Sequence, residues 1–327
     1  MSDKMKKQVT REEVEAAKQE MKKIALSTNR EEQIARVIND TYDPEFPVSD
    51  IISAIMNVTT ADPFETVYYF VPTLPVKRAY ILSGNCNVTE IQVTPSSKNT
   101  LVFSAVVTPD YWICLDDLLN GDHDVLSLYA DDIIESLNRQ ELYSVLQLLD
   151  AAAVARGNVV GLSSGNTKLI YPDLVAMKRM VRKYGRSLVL ITGPNVTDDV
   201  ELMQYDANKY TPVNIKDVVD AWYPVEALDI EINGVPLTVI GDNVAYLVAV
   251  SDSKKNKPGY FVRRHIDGNI LSGITDTTMA AKERAVIVTG LIKPVAGVEK
   301  FAKGIAGFEQ VGAVITNSYA IAKFVRA

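Results

Sequence analysis

The stretch Asp122–Arg156, DHDVLSLYADDIIESLNRQELYSVLQLLDAAAVAR, decides how the rest of this chain is organised. Its apolar residues recur three and four positions apart, the spacing that brings side chains onto one face of a helix. They are Val125, Leu126, Tyr129, Ile133, Ile134, Leu137, Leu142, Val145, Leu146 and Leu149. No proline interrupts the stretch, and Gly157 directly after it is a helix-stop signal because glycine adopts the left-handed conformation easily. The pattern predicts one helix over residues 122–156.

A helix of this length would span roughly 50 Å, nearly twice the diameter of a compact domain of about 100 residues. A helix longer than its own domain usually ties two parts of a molecule together, or one subunit to the next. We therefore expect this helix to link two parts of the molecule or to link neighbouring subunits.

Composition places the chain among ordinary globular proteins and excludes several function classes. Of its 327 residues, 47% are hydrophobic and 23% charged, and the net charge is −7. An acidic chain lacks the basic surface that broad binding to nucleic acids or anionic membranes requires, so any DNA contact must be local. No apolar run approaches the ~18 residues of a membrane span, and no signal-peptide pattern is present. We expect the chain to act in, or assemble from, the cytosol.

Metal and cofactor sites are not indicated. Cysteine and histidine occur only at Cys86, Cys114, His123 and His265, too few and too scattered for a disulfide framework or a zinc site. Three acidic pairs could hold a hard cation, but each lies near the start of a predicted helix, where carboxylates are favourable without any metal. These pairs are Asp116–Asp117, Asp131–Asp132 and Asp198–Asp199.

One motif suggests catalysis. Gly161-Leu-Ser-Ser-Gly165 fits G-x-S-x-G, the pattern of a serine-hydrolase nucleophile elbow. Such an elbow leads directly into a helix, whereas the next predicted helix waits until Pro172, and the downstream His265 lies in a strand-like segment. We therefore predict that the chain is not an enzyme, and we keep an α/β hydrolase using Ser163 as an alternative.

The segments before the long helix have little core of their own. Residues 1–40 are rich in Lys and Glu and predict two short helices broken near Ser27-Thr-Asn29, and residues 43–63 are interpreted as a connector. Four strand-like runs separated by turn signals then predict an extended hairpin. These runs are residues 66–71, 76–83, 88–94 and 100–107. Because a two-stranded ribbon is unstable alone, it should lie on another surface.

The segments after the long helix mix helices with strands. Helices are predicted over residues 173–184 and 196–205, and the end of the chain, 317–325, is predicted as a short helix or strand. The predicted strands are 187–192, 228–232, 237–240, 246–250, 260–266, 285–291 and 312–315. Strands that follow one another without helices between them argue for an α+β fold and against a doubly wound sheet.

The order of these elements resembles a tailed-bacteriophage major capsid protein of the Hong Kong 97 type. The resemblance covers about residues 65–327 and is carried by the order of the hairpin, the long helix and several short motifs. The motifs are Val106-Val-Thr-Pro-Asp110, Ile113-Cys-Leu-Asp-Asp-Leu-Leu119, Val189-Leu-Ile-Thr-Gly-Pro194, Ile232-Asn-Gly-Val-Pro-Leu-Thr-Val239, Lys257-Pro-Gly-Tyr-Phe-Val-Arg-Arg264 and Gly312-Ala-Val-Ile-Thr-Asn-Ser-Tyr-Ala320.

This resemblance implies four regions. Residues 1–64 would be an N-terminal arm, and residues 65–108 an extended loop built as a β-hairpin. Residues 109–157 and 251–327 would form a peripheral domain with its spine helix at 122–156, and residues 158–250 an axial domain.

The resemblance also implies a function. The chain would self-assemble into hexamers and pentamers of an icosahedral shell that encloses double-stranded DNA, in a virion assembled in the host cytoplasm. Its partners would be other copies of itself, a scaffolding protein, a portal, packaged DNA on the inner face, and in some relatives a decoration protein. Some relatives crosslink a loop lysine to a peripheral asparagine, and Lys77 or Lys98 with Asn317 have the right types. A shell of the encapsulin kind, built by one protein with the same fold, is the alternative.

Subunit contacts are expected on the arm and the hairpin, because both carry apolar residues without a core to cover them. The predicted interface residues are Val14, Met21, Ile24, Tyr69, Tyr80, Ile91 and Phe103.

Overall fold

The structure is a computed structural model, and it describes most but not all of the chain. The described residues are 23–24, 27, 30–41, 49–71, 98–108, 124–163, 165–205, 214–225, 229–232, 235–250, 257–267, 283–295 and 298–326.

Five α-helices lie in the described residues. They are α1 (Arg30–Thr41), α2 (Asp50–Ile55), α3 (Asp124–Arg156), α4 (Tyr171–Val181) and α5 (Pro194–Tyr205). The long helix α3 confirms the prediction from the apolar spacing. Gly157 follows it with φ +67°, the left-handed conformation expected of a glycine that ends a helix.

Fourteen strands are described. They are β1 (Met56–Ala61), β2 (Tyr68–Phe70), β3 (Lys98–Thr100), β4 (Ser104–Val107), β5 (Val159–Gly161), β6 (Ser187–Thr192), β7 (Ala221–Pro224), β8 (Asp229–Ile232), β9 (Val235–Thr238), β10 (Val244–Val250), β11 (Gly259–Arg264), β12 (Arg284–Val295), β13 (Val298–Ile315) and β14 (Ile321–Val325). With the helices they make an α+β protein, as predicted.

Three predictions about elements were wrong. The segment interpreted as a connector contains α2 and β1, whose Ile52, Ile55 and Met56 are fully buried. The run 100–107 is two strands, because β3 pairs with β2 whereas β4 pairs with β13. The strand expected at 312–315 begins far earlier, at Val298.

The chain divides into two compact units. The first unit comprises residues 1–47, 104–140 and 263–311, and the second comprises residues 48–103, 141–262 and 312–327. Helix α3 and strand β13 each contribute residues to both units.

In the first unit, β12 and β13 form a long antiparallel hairpin from the pair Arg284 and Glu309 to the pair Val295 and Val298. Strand β4 adds to the other side of β13, and α1 lies along β12.

The N-terminal half of α3 is fixed in the first unit by a glycine and by a buried ion pair. A Cβ atom built on Gly307 would lie 2.4 Å from Cγ2 of Ile133, so only a hydrogen at this position allows the helix to pack this closely. Arg284 donates through Nε to Glu309 at 2.5 Å and through Nη1 to Asn138 of the helix at 2.9 Å. Arg284 and Glu309 are both buried. Because Glu309 holds the guanidinium that bonds to Asn138, the pair fixes the position of the helix at this point.

The second unit is built on a mixed five-stranded sheet in the order β5-β14-β10-β6-β7. Strand β10 runs antiparallel to both β6 and β14, while β5 and β7 are parallel to their neighbours. Helix α4 packs on this sheet, and its Leu174, Met177 and Val181 join a core with Leu190, Leu247, Phe324 and other buried residues.

The C-terminal half of α3 is buried in the second unit through an apolar face and one carboxylate. Leu142, Val145, Leu146, Leu149 and Ala153 are buried. Between Leu149 and Ala153, the partly exposed Asp150 accepts a 2.9 Å hydrogen bond from the hydroxyl of Tyr246 and pairs with the amine of Lys323. Tyr246 and Lys323 are cross-strand partners of β10 and β14, so one carboxylate bonds both strands.

Candidate assembly surfaces

The base of the predicted extended hairpin lies in the second unit and has one covered face. Strands β2 and β3 are antiparallel, and the N–H of Leu101 donates to the carbonyl of Val67 at 2.9 Å, which extends the register. Side chains of alternate residues, Val67, Tyr69, Leu101 and Phe103, pack with Ala61, Val262 and Val314. The alternation expected of a strand therefore places these side chains on a small apolar core.

The opposite face of this ribbon is open in the single chain. Tyr68 is 49% exposed and Val102 79% exposed, and Thr66 and Thr100 beside them are also exposed. Because Tyr68 pairs with Thr100, Val102 lies diagonally across from it on the same face. We call Tyr68 and Val102, together with the exposed Phe64 that precedes the ribbon, the ribbon patch.

Phe64 begins this ribbon in an unusual conformation. Its φ is +65°, in the left-handed region that a phenylalanine rarely adopts, and its side chain is 76% exposed. The turn around it is held by the N–H of Glu65, which bonds to the Asp62 carbonyl, and by the N–H of Asp62, which bonds to the Glu65 carboxylate. A strained residue that presents an apolar ring to solvent marks a candidate contact site.

Comparison with solved structures identifies the fold. The chain matches a protein of Gordonia phage Cozz with a TM-score of 0.51 and 11% identity, over 88% of this chain and 89% of that one. It matches a protein of Mycobacterium phage Adephagia with a TM-score of 0.50 and 13% identity, over 90% and 96% of the two chains. The chain has a bacteriophage capsid fold. The resemblance inferred from the order of elements is confirmed at this level, since identities this low establish a shared fold and no more.

Comparison of sequences adds no relative: no protein-family profile matches the chain, and no curated protein sequence matches it. Among the described helices, none is both long enough and apolar enough to cross a membrane.

The structure places three of the seven predicted interface residues. Tyr69 and Phe103 come together on the covered face of the ribbon, and Ile24 is buried, with its carbonyl accepting hydrogen bonds from both the N–H and the hydroxyl of Ser27. Val14, Met21, Tyr80 and Ile91 lie outside the described residues. Contact of any of these residues with a second subunit stays a prediction.

The Ser163 motif forms part of a helix cap. The Ser163 hydroxyl donates to the carboxylate of Asp173, which is buried and also accepts from the N–H of Ile170 at the start of α4. The oxygen that a hydrolase would use as nucleophile is thus bonded to a carboxylate with a structural role, and this arrangement favours a loop anchor over a nucleophile elbow.

Asp199 bonds to residues distant in the sequence, which the sequence did not indicate. It is buried within α5, accepts from the N–H of Leu169 at 2.9 Å and lies 3.3 Å from a guanidinium nitrogen of Arg326. In the same chain Asp131 and Asp132 are exposed on α3. Over the described part of the chain, no group of three or more His, Cys, Asp and Glu side chains could hold a metal ion.

A stack of charged and aromatic side chains joins three elements of the second unit. The guanidinium of Arg156 lies 4.0 Å from the ring centre of Tyr319, whose ring stacks on Tyr184 at 5.4 Å. The amine of Lys183 lies 4.9 Å from the Tyr184 ring centre. This stack was missed from the sequence, although the run of cations in which Lys183 lies could have indicated it.

Proposed function

We propose that this chain is the major capsid protein of a tailed bacteriophage, which self-assembles into hexamers and pentamers of an icosahedral shell enclosing double-stranded DNA. The observation that carries the proposal is the shared capsid fold, which runs through 88–90% of the chain.

In this proposal the regions take the roles that the Hong Kong 97 type assigns them. Residues 1–64 are the N-terminal arm, 65–108 the extended loop, 109–157 and 251–327 the peripheral domain, and 158–250 the axial domain. A scaffolding protein, a portal and, in some assemblies, a decoration protein would bind the shell, which would be built in the host cytoplasm.

The ribbon patch supports assembly on physical grounds. Phe64, Tyr68 and Val102 expose apolar surface next to a two-stranded ribbon, and an open apolar ribbon promotes aggregation unless something covers it. A second copy of the chain, present at high local concentration in a shell, would cover it. We propose that this face, with Val14, Met21, Ile24, Tyr80 and Ile91 of the arm and loop, contributes to the subunit interface.

The test is assembly of the full chain, expressed alone and with its scaffolding protein, followed by electron microscopy and sedimentation. We expect closed particles, and we expect the double variant Tyr68→Ser and Val102→Ser to reduce their yield at least tenfold while the subunit stays folded. The matched control is Val154→Ser with Tyr171→Ser, two exposed apolar residues of the same types outside the ribbon, which should assemble normally.

The outcomes separate the alternatives. Particles that form from the chain alone and package no DNA would indicate a compartment of the encapsulin kind. A chain that stays monomeric under every assembly condition would contradict the proposed function. Equal losses in the ribbon and control variants would mean that the ribbon patch is not the interface.

A further inference from the structure

The end of α4 and the residues after it carry several cations without any acid. From Leu174 to Thr197 there is no aspartate or glutamate, yet the chain as a whole has 41 acidic and 34 basic residues. Within this stretch five cations fall close together: Lys178, Arg179, Arg182, Lys183 and Arg186. The acidic net charge of the protein therefore conceals a concentrated positive segment.

The structure places this segment at the C-terminal end of α4 and in the turn after it. Because Leu174, Met177 and Val181 face the core, the cations three and four positions apart lie on the outer side of the helix end. Arg179, Arg182, Lys183 and Arg186 are exposed, while the amine of Lys178 donates to the carbonyl of Val218 at 2.9 Å. The positive charge is thus held on the surface of the second unit.

Three of these cations have no partner in the part of the chain that the structure describes. The guanidinium groups of Arg179, Arg182 and Arg186 make neither an ion pair nor a hydrogen bond with any described residue. Asp220, a carboxylate that follows the Val218 carbonyl, is engaged with the N–H of Leu188 at 2.6 Å. In a protein with surplus acid, three neighbouring surface arginines without a partner among the described residues favour a ligand from outside the chain.

Arg156 extends the positive surface to the end of α3 through the stack of Tyr319 and Tyr184. In that stack Arg156 covers one ring and Lys183 the other, and the two rings cover each other. Each ring therefore contacts the other ring and one cation, so the stack holds Arg156 and Lys183 in place. The chemistry left for a ligand is that of guanidinium and ammonium groups.

We infer that Arg156, Arg179, Arg182, Lys183 and Arg186 form a surface that binds the phosphate backbone of double-stranded DNA without reading its sequence. Guanidinium forks match phosphate oxygens in pairs, and a row of them neutralises a polyanion. The inference rests on the proposed function, in which the shell encloses DNA. DNA is favoured over an acidic protein because the surface has one sign of charge and no apolar anchor among its exposed residues, whereas protein interfaces usually combine both.

The experiment measures binding of the purified full chain to a short fluorescent DNA duplex of mixed sequence, by anisotropy across a series of salt concentrations. The slope of log K against log salt is negative, and each lost phosphate contact lowers its magnitude by about 0.9. The double variant Arg182→Gln and Arg186→Gln should therefore lower that magnitude by about 1.8 and weaken binding ~10- to 100-fold at ~0.1 M salt. The double variant Arg182→Lys and Arg186→Lys should restore most of the slope.

The matched control is Lys23→Gln with Lys168→Gln, which removes the same charge from exposed positions that are not among the five proposed residues. It should change the slope by less than half as much as the arginine variant, because the long-range charge effect is the same but no contact is lost. Circular dichroism on each variant checks that the subunit is folded.

The outcomes distinguish DNA binding by this surface from binding of an acidic protein, and both from the proposed shell function. Equal slopes for the arginine and control variants would overturn the inference even if particles form normally. Binding of poly-glutamate with the affinity and arginine dependence of the duplex would also overturn it, in favour of an acidic protein partner. If DNA binding depends on the arginines but no particles ever form, the surface stands and the proposed shell function fails.

Discussion

The two halves of α3 continue one helical pattern but are held by different physical means. In the first unit its N-terminal half packs on Gly307 and bonds through Asn138 to the buried pair of Arg284 and Glu309. In the second unit its C-terminal half buries a mainly aliphatic face, and Asp150 bonds to strands at a half-exposed position.

The comparison shows that the two halves of one helix can serve different purposes: the buried ion pair fixes the geometry of the N-terminal half, and aliphatic burial stabilises the C-terminal half. Aliphatic burial stabilises a helix but tolerates small rotations, whereas a buried ion pair adds little net stability and is costly to break. We therefore expect substitutions at the N-terminal half to act through lost geometry, and those at the C-terminal half to act through lost surface and single hydrogen bonds.

The largest effect is expected for Arg284→Met. It leaves the Glu309 carboxylate buried without its guanidinium, which should lower the free energy of unfolding by about 3–5 kcal/mol. Urea denaturation of the purified subunit measures the change. The double variant Arg284→Met and Glu309→Leu removes both charges and should recover most of the loss; if it is as unstable as the single variant, the ion pair is not the source of the effect.

The second expectation concerns Gly307→Ala. The new Cβ would lie 2.4 Å from Ile133 Cγ2 and 3.2 Å from Thr108 Cγ2, so the helix must shift, at a cost of about 1–3 kcal/mol. Gly161→Ala is the matched control, because a Cβ there has no atom of the described structure within 4 Å. Similar unfolding free energies for the two variants would show that the N-terminal half tolerates displacement after all.

The third expectation is for Tyr246→Phe, which removes the hydroxyl bonded to Asp150. A hydrogen bond to a charged group contributes about 1.5–3 kcal/mol, less here because Asp150 is partly exposed, so a loss of about 1–2 kcal/mol is expected near neutral pH. Thermal and urea unfolding measure it. The variant should lose less than Leu149→Ala, which opens a cavity in the same apolar face at about 2–5 kcal/mol.

The same residue gives a pH test. Burial, and then the charge and hydrogen bond of Asp150, raise the pKa of Tyr246 well above the ordinary tyrosine value of about 10. Below about pH 10 the tyrosine keeps its proton in both the folded and the unfolded chain. Above it the unfolded chain releases the proton first, so stability falls by up to about 1.4 kcal/mol per pH unit. The wild type should lose more stability than Tyr246→Phe between about pH 10 and 11; parallel losses would contradict this.

The smallest effect is expected for Lys323→Met, the counterpart of Arg284→Met at the other half of the helix. Its pair with Asp150 is partly exposed, so the loss should be about 1 kcal/mol or less and should shrink with added salt. A loss as large as that of Arg284→Met would erase the distinction between the two halves.

Much of the fold followed from local pattern. Helix α3 was predicted within two residues at its start, and strand β6, Ser187–Thr192, with both ends correct. Such elements are long or uniformly apolar, so their period is visible without knowledge of their neighbours. The order of elements then sufficed for the resemblance to a capsid protein.

Other elements could not be predicted because their patterns depend on partners. No turn residue separates α2 from β1, and the burial of Ile55 and Met56 in succession ends the helix where the strand begins. Strand β13 contains Gly307 and Gly312, which weaken any strand pattern. They are required because Ile133 approaches the first and Leu101 the second.

The candidate surfaces divide in the same way. The sequence predicted that apolar residues of the ribbon need another surface, but only the fold shows that Tyr69 is covered by its own chain while Tyr68 is open. The cations of residues 178–186 are plain in the sequence. Arg182 and Arg186 lack carboxylate partners among the described residues, while Arg326 has Asp199, and this difference required the positions of side chains far apart in the chain.

The sequence by itself determined the long helix, the α+β class and the order of elements, because these depend on side-chain period and on residues within a few positions of one another. The tertiary structure decided which apolar faces are covered, which glycines are required and which charges are paired. Those depend on contacts between segments that are distant in the sequence, such as Asn138 with Arg284, and no local pattern contains them.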